Sequence, residues 1–100
     1  MKKTKNYQDE LIEALKNHDE AVAYLNAAME EAENGDEESQ EVFLMALRNI
    51  AKAQSGMGAL AKKAHVTRES LYKTLSPHGN PELKTLTALL RAMGIGIRFC

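Results

Sequence analysis

Residues 60–75, LAKKAHVTRESLYKTL, decide the fold of this chain. Their apolar spacing predicts two short helices, at about 57–64 and 67–75, which are joined by a tight turn. The positions that must be apolar, small or capping in such a pair carry suitable residues, namely Leu60, Ala61, Ala64, Val66, Thr67 and Leu71. Leu75, four residues after Leu71, continues the buried side of the second helix. The stretch therefore has the sequence form of a helix-turn-helix.

The turn between the two helices falls at His65. A residue at this point takes a positive φ, which favours glycine and costs a non-glycine residue about 1 kcal/mol. Histidine is among the residues that tolerate this region better. No His, Cys or acidic cluster stands near His65 at metal-ligand spacing. We therefore predict that His65 is a turn residue and neither a metal ligand nor a base.

The second helix carries the residues that we expect to read DNA. Arg68 and Ser70 lie near its N-terminus, the end that usually meets base edges. Arg68 is suited to bind guanine bidentately, and Glu69 is suited to accept a hydrogen bond from cytosine N4. Tyr72 and Lys73 are placed to reach phosphates or a thymine methyl group. A plain amphipathic helix pair is the alternative, but the conjunction of spacing, cap and basic surface favours DNA binding.

The first helix is expected to place the pair on the DNA backbone. Ser55 and the first backbone N–H groups of the helix at 57 can hold a phosphate. Lys62 and Lys63 point toward solvent, and we assign them to backbone contacts as well. The predicted DNA-binding set is Ser55, Lys62, Lys63, Thr67, Arg68, Glu69, Ser70, Tyr72 and Lys73.

The formal net charge of −1 hides two halves of opposite sign. Residues 1–41 contain four lysines and twelve acidic residues, a balance of −8. Residues 42–100 contain nine Lys or Arg and two acidic residues, a balance of +7. A basic half attracts phosphates, and an acidic half can meet a basic protein or shield the other half. The alternative is that both halves are simply solvated.

The residues before this pair are also predicted to be helical. Apolar spacing predicts a short helix over 9–16, a second one capped by Asp19, and a third that begins near Asp36. The core-facing stripe of the third helix is predicted to be Val42, Phe43, Ala46, Leu47, Ile50 and Ala51. We expect an acidic helical arm over 1–36 and a helix-turn-helix domain with a C-terminal tail over 37–100.

The C-terminal part is predicted to hold one more helix and a strand. Asn80 and Pro81 predict the helix start, with Pro81 at the first helical position, and Gly94 predicts its end. The core-facing residues of this helix are predicted to be Leu83, Leu86, Leu89, Leu90 and Met93. Residues 95–99 alternate as a strand does, and a lone strand needs a second copy or a partner's sheet edge. The alternative is a tail that rests on the core without pairing.

Composition narrows the class of protein. The chain has no Trp and 5% aromatic residues, which favours helical packing over a β-sandwich. Its single cysteine, Cys100, makes no internal disulfide or metal cluster and is compatible with a reducing cytosol. No long apolar run or signal peptide occurs, so we expect a cytoplasmic protein that does not enter a membrane. We expect no enzyme, metal or cofactor, since no nucleophile partners His18, His65 or His78.

Residues 55–99 resemble the Xre/Cro-type helix-turn-helix domain. More narrowly, AYLNAAMEE, FLMALRNIAKAQSGMGALAKKA, TRESLYKTLSPHGNPELKTL and LLRAMGI resemble the probable addiction-module antidote family over about residues 7–99. The run RESLYKTLSPHGNP is the most specific part. The resemblance implies an all-α fold, with a five-helix Xre/Cro (lambda-repressor-like) DNA-binding domain and an N-terminal helical extension. Broader Xre domains tend to have Gln where this chain has Met57, so one common phosphate or base contact is absent.

The same resemblance implies a type II antitoxin that binds a small, basic RelE/ParE-type toxin and represses the operon they share. We expect a homodimer on a pseudo-palindromic double-stranded DNA operator, with half-sites about one helical turn apart. Glu30, Glu31 and Glu33 are placed to cover a basic, RNA-contacting face of the toxin. A stand-alone Xre-type repressor and a helical protein-interaction module that no longer reads DNA are the alternatives.

Overall fold

The computed structural model describes residues 7–32 and 37–95, which form six helices and, within these ranges, no strand. The helices are α1 (Tyr7–Ala14), α2 (His18–Ala32), α3 (Glu37–Gln54), α4 (Met57–Lys63), α5 (Arg68–Thr74) and α6 (Leu83–Ala92). The predicted all-α class is thus confirmed for the described residues. The Xre/Cro identity and the division at residue 36 stay predictions.

The core is organised around α3. Helices α1 and α2 pack against α3, and α4 contacts α3, α5 and α6. One cluster of buried apolar side chains joins these elements. Its largest fully buried members are Leu15, Leu47, Ile50, Leu60, Leu71, Leu75, Leu89 and Leu90. The α4–α5 pair and the N-terminal helices therefore share one Leu-rich core.

The buried side of α3 differs from the predicted stripe at one edge. The predicted residues that are buried are Ala46, Leu47, Ile50 and Ala51, and Phe43 is partly buried. Val42 was predicted to face the core, and this prediction is wrong, since its side chain is 44% exposed. Val42 lines a groove together with Ala27 and Ala28 of α2. Because the alanine side chains are short, they leave Val42 uncovered.

A buried polar link ties the first three helices together. Asn49 of α3 is 5% exposed, and its Oδ1 accepts a hydrogen bond of 2.9 Å from Nε2 of Gln8 on α1. Nδ2 of Asn49 donates to the hydroxyl of Tyr24 on α2 over 3.2 Å. Nε2 of Gln54 also donates to the backbone carbonyl of Leu15 over 3.2 Å. These bonds fix the position of α1 and α2 on α3, because a buried polar group must find its partners within the protein.

The N-cap of α2 is Asn17 and not Asp19 as predicted. The backbone N–H of Glu20 donates to Oδ1 of Asn17 over 3.0 Å, and α2 begins at His18. Asn is as good a cap as Asp, and here it stands directly before the first helical residue. Asp19 lies instead in the first turn of the helix, where its charge is favourable to the helix dipole.

Helix α6 begins at Leu83, two residues after the predicted first position at Pro81. In the preceding loop, an added Cβ on Gly79 would overlap the backbone carbonyl of Thr74, so this loop packs closely against the end of α5. Glu82 is extended and forms the N-cap. The prediction that Leu83 faces the core is wrong, since Leu83 is 70% exposed. Side chains lean toward the N-terminus of a helix, and the first one therefore extends past the helix start.

The predicted end of α6 at Gly94 is confirmed. Gly94 has a φ of 75°, and its N–H donates to the carbonyl of Arg91 over 3.0 Å. The N–H of Ile95 donates to the carbonyl of Leu90 over 2.9 Å, which completes a Schellman motif. Ile95 is buried. Apart from Ile95, the strand predicted at 95–99 lies outside the described residues.

Candidate nucleic-acid interface

The turn between α4 and α5 is closed by backbone hydrogen bonds. The N–H of Val66 donates to the carbonyl of Ala61 over 3.0 Å, and the N–H of His65 donates to the carbonyl of Lys62 over 3.3 Å. These are the two bonds of a Schellman motif, which places a residue with positive φ at its centre. His65 has a φ of 60°, so the predicted backbone conformation of the turn is confirmed.

The start of α5 is fixed by Thr67, as predicted. Thr67 is extended, and its Oγ1 accepts a hydrogen bond of 3.0 Å from the N–H of Ser70. A threonine in this role satisfies one of the N–H groups that the helix itself leaves without a partner. The cap sets Arg68 as the first residue of α5, so Arg68 and Glu69 occupy its first turn.

One side of α5 is polar and exposed to solvent. Leu71 and Leu75 turn the opposite side into the core, where they are 1% and 0% exposed. At 3.6 residues per turn, Glu69, Ser70 and Lys73 lie on the side away from these leucines. All three are exposed. We call Glu69, Ser70 and Lys73 the reading face.

Arg68 and Tyr72 lie on the flank of α5, beside the reading face. Arg68 is exposed and Tyr72 is half-buried against the core. The guanidinium carbon of Arg68 is 5.8 Å from the centroid of the Tyr72 ring. The guanidinium carbon of Arg48 on α3 is 5.2 Å from the same centroid. Arg48 was not among the predicted site residues, because only the fold brings this residue of α3 to Tyr72 on α5.

The first helix of the pair presents its predicted residues to solvent. Ser55, Lys62 and Lys63 are exposed. Gly56 is the N-cap of α4, with a φ of 86°, and the first turn has no side-chain cap. Met57 is 4% exposed and packs in the core. The position at which broader Xre domains tend to have Gln therefore serves packing in this chain.

The α2 side of the molecule has a different surface. Helix α2 contains no Lys or Arg, and Glu30 and Glu31 are exposed on it, whereas Glu33 lies outside the described residues. A groove of about 220 Å³ between α2 and α3 is lined by Tyr24, Ala27, Ala28, Glu31, Val42 and Ala46. Met45, also on α3, is 37% exposed. The acidic surface is thus combined with exposed apolar side chains.

Comparison with known proteins shows the family of the chain. A family model described as "Probable addiction module antidote protein" matches residues 4–100 of the chain. The chain belongs to this family. An uncharacterized protein of Haemophilus influenzae (strain ATCC 51907 / DSM 11121 / KW20 / Rd) is 34% identical over 86 residues, which cover 86% of this chain and 81% of that protein. No solved structure matches the chain significantly.

Membership of the antidote family supports an antitoxin role and implies a toxin as partner. Two further findings concern the described residues alone. None of their helices has the length and apolar character needed to cross a membrane. They also contain no group of three or more His, Cys, Asp or Glu side chains that could hold a metal ion.

Proposed function

We propose that this antidote-family protein is a DNA-binding antitoxin of a type II toxin-antitoxin module. It neutralises a RelE/ParE-type toxin and represses its own operon in the cytoplasm. The DNA-binding half of the proposal depends on the α4–α5 pair, in which the φ of 60° at His65 and the Thr67 cap hold α5 with its polar side exposed. The toxin-binding half depends on family membership and on the acidic surface of α2.

On DNA, the reading face enters the major groove as the second helix of a helix-turn-helix does. Glu69 accepts from cytosine N4, and Arg68 at the start of α5 binds guanine. Ser55, Lys62 and Lys63 contact the phosphates and set the register of the helix pair. A homodimer places two such helices in half-sites about one helical turn apart.

Gel retardation of the DNA upstream of the gene tests the DNA-binding half. We expect retardation at low salt that weakens steeply as salt is raised, because each neutralised phosphate releases counterions. A purified chain that retards no upstream DNA at low salt would contradict the proposal. That outcome would favour the alternative of a helical interaction module that does not read DNA.

Replacing Arg68 tests the assignment of a base contact. Arg68→Ala should cost roughly 1–3 kcal/mol of binding and relax the preference at one base pair. Lys16→Ala is the matched control, because it removes one positive charge from an exposed side chain that pairs with Glu13 in the acidic half. An equal loss on all DNA sequences would instead identify Arg68 as a phosphate contact.

The acidic surface of α2 is proposed to receive the toxin. Glu30 and Glu31 meet basic side chains of the toxin, and an apolar toxin side chain enters the groove beside Val42. Co-purification with the product of the neighbouring gene tests this pairing. Combined E30K and E31K substitutions should abolish co-purification and preserve DNA retardation, whereas Glu82→Lys at the N-cap of α6 should leave both intact. Without a small, basic toxin reading frame beside the gene, the stand-alone repressor would be favoured.

A further inference from the structure

The half-buried ring of Tyr72 supports two arginines from two different helices. It lies 5.2 Å from the guanidinium carbon of Arg48 on α3 and 5.8 Å from that of Arg68 on α5. Both distances are in the range of cation–π contacts. Because Tyr72 also packs against the core, it gives both guanidinium groups a fixed support beside the reading face.

The charge of this cluster is not compensated within the described part of the chain. No carboxylate whose side chain the structure describes lies within salt-bridge distance of either arginine. In addition, Nε of Arg48 is buried and has no hydrogen-bond partner among the described residues. Because Nε is buried, only the terminal N–H groups of the half-buried Arg48 can meet an acceptor outside the chain. Charged side chains that are partly withdrawn from water are normally paired, so these groups are the place for such an acceptor.

We propose that Arg48 binds a backbone phosphate of the DNA and that Tyr72 positions its guanidinium for this contact. The inference rests on the proposed function. A phosphate supplies the negative charge and the acceptor oxygens that the cluster lacks, and the planar guanidinium matches its geometry. Tyr72 is then a positioning residue rather than a reader of bases. A carboxylate of a protein partner has similar chemistry, but the cluster adjoins the basic α5, and DNA is therefore the favoured ligand.

Arg48→Met tests this contact, because it removes the charge and keeps an unbranched side chain against the ring. Binding is measured by fluorescence anisotropy at several salt concentrations. The probes are the upstream duplex and a duplex of equal length with scrambled sequence. We expect R48M to weaken binding to both duplexes by the same factor and to reduce the salt slope by about one. Lys16→Met, which also removes one positive charge, should keep the wild-type slope.

Two substitutions at Tyr72 separate the ring from its hydroxyl group. Tyr72→Phe keeps the ring and should bind both duplexes as the wild type does. Tyr72→Leu removes the ring and should weaken binding to both duplexes at least as much as R48M does, because the ring also supports Arg68. If Tyr72→Phe lost as much affinity as Tyr72→Leu, the hydroxyl would be the contact and the positioning role would be overturned.

Circular dichroism establishes whether each variant is folded. Should R48M not fold, Arg48→Lys keeps the charge without the planar group, and it should retain the salt slope with weaker binding. A wild-type slope in folded R48M would overturn the phosphate contact. The phosphate contact would also be overturned if R48M lost affinity for the upstream duplex alone. Loss of toxin co-purification in R48M with intact DNA binding would overturn it as well. A wild-type chain that binds no DNA refutes the proposed function, whereas wild-type binding with an unaffected R48M refutes this inference alone.

Discussion

The α2 side and the α4–α5 side of the molecule pack on the same core but carry opposite charges. The acidic residues of α2 are Asp19, Glu20, Glu30 and Glu31, and the helix has no Lys or Arg. The basic residues of α4 and α5 are Lys62, Lys63, Arg68 and Lys73, with Glu69 as their only acidic residue. Because the two sides carry opposite charges, the protein can present its acidic side to a basic protein and its basic side to phosphates.

The two sides also differ in what holds them in place. The α4–α5 side depends on bonds between near neighbours, such as Ser70 to Thr67 and Val66 to Ala61. The α2 side depends on contacts between distant parts of the chain, such as the hydrogen bonds around Asn49. Single substitutions can therefore disturb the two sides separately, except where they reach the common core.

The largest effect is expected from Leu47→Ala, at a fully buried position of α3. Such a truncation costs about 2–5 kcal/mol of unfolding free energy, a large part of the stability of a small domain. Urea unfolding measures the loss, and both DNA and toxin binding should fall with the folded fraction. Leu83→Ala is the control, since Leu83 is 70% exposed and its truncation should stay within about 0.5 kcal/mol. If L47A impaired one surface only, the two sides would not share a core.

A smaller effect is expected from Gly79→Ala, in the loop that directly follows the α4–α5 pair. The new Cβ would overlap the carbonyl of Thr74, so the loop must shift at a cost of about 1–3 kcal/mol. DNA binding should weaken more than toxin binding, because the loop follows α5 directly. Gly58→Ala in α4 is the matched control: its Cβ meets nothing within 4 Å, and it should stabilise the helix by about 0.5–1 kcal/mol. Equal stability of the two variants in thermal unfolding would contradict the predicted overlap.

Thr67→Ala should cost about 1 kcal/mol, because it removes the cap of α5. The reading face depends on where this helix begins, so DNA binding should decline while toxin binding stays unchanged. Thr87→Ala provides the comparison, since Oγ1 of Thr87 only donates to the carbonyl of Leu83 one turn earlier in α6. That substitution should be neutral or slightly stabilising. A T67A variant as stable as T87A in urea unfolding would show that the cap contributes nothing.

The sequence was most informative where a few adjacent residues determine the backbone. The positive φ of His65, the Thr67 cap and the end of α6 at Gly94 are each encoded within one turn of helix, and the structure has all three. The charge difference between the two sides was also readable, because it needs only a count of residues. Such features require no knowledge of how the helices pack.

The sequence was least informative where distant residues meet. The contact of Arg48 with Tyr72 joins α3 to α5, and no local sequence pattern predicts it. The exposure of Val42 depends on the short side chains of α2 that face it, and that of Leu83 depends on where α6 begins. Helical spacing identifies the residues that share one side of a helix, but the neighbouring helices decide how much of that side is covered.

The smallest effect is expected at the turn itself. His65→Gly relieves the cost of a side chain at positive φ, so it should raise the free energy of unfolding by up to about 1 kcal/mol. DNA binding should remain at the wild-type level, because the turn residue supports the helix pair without contacting a base. His65→Ala is the control: it also removes the imidazole but keeps a Cβ at positive φ, and it should bring no gain. If H65A were stabilised as much as H65G in thermal unfolding, the imidazole would be the source of the cost. The positive φ of the turn residue would then not be strained.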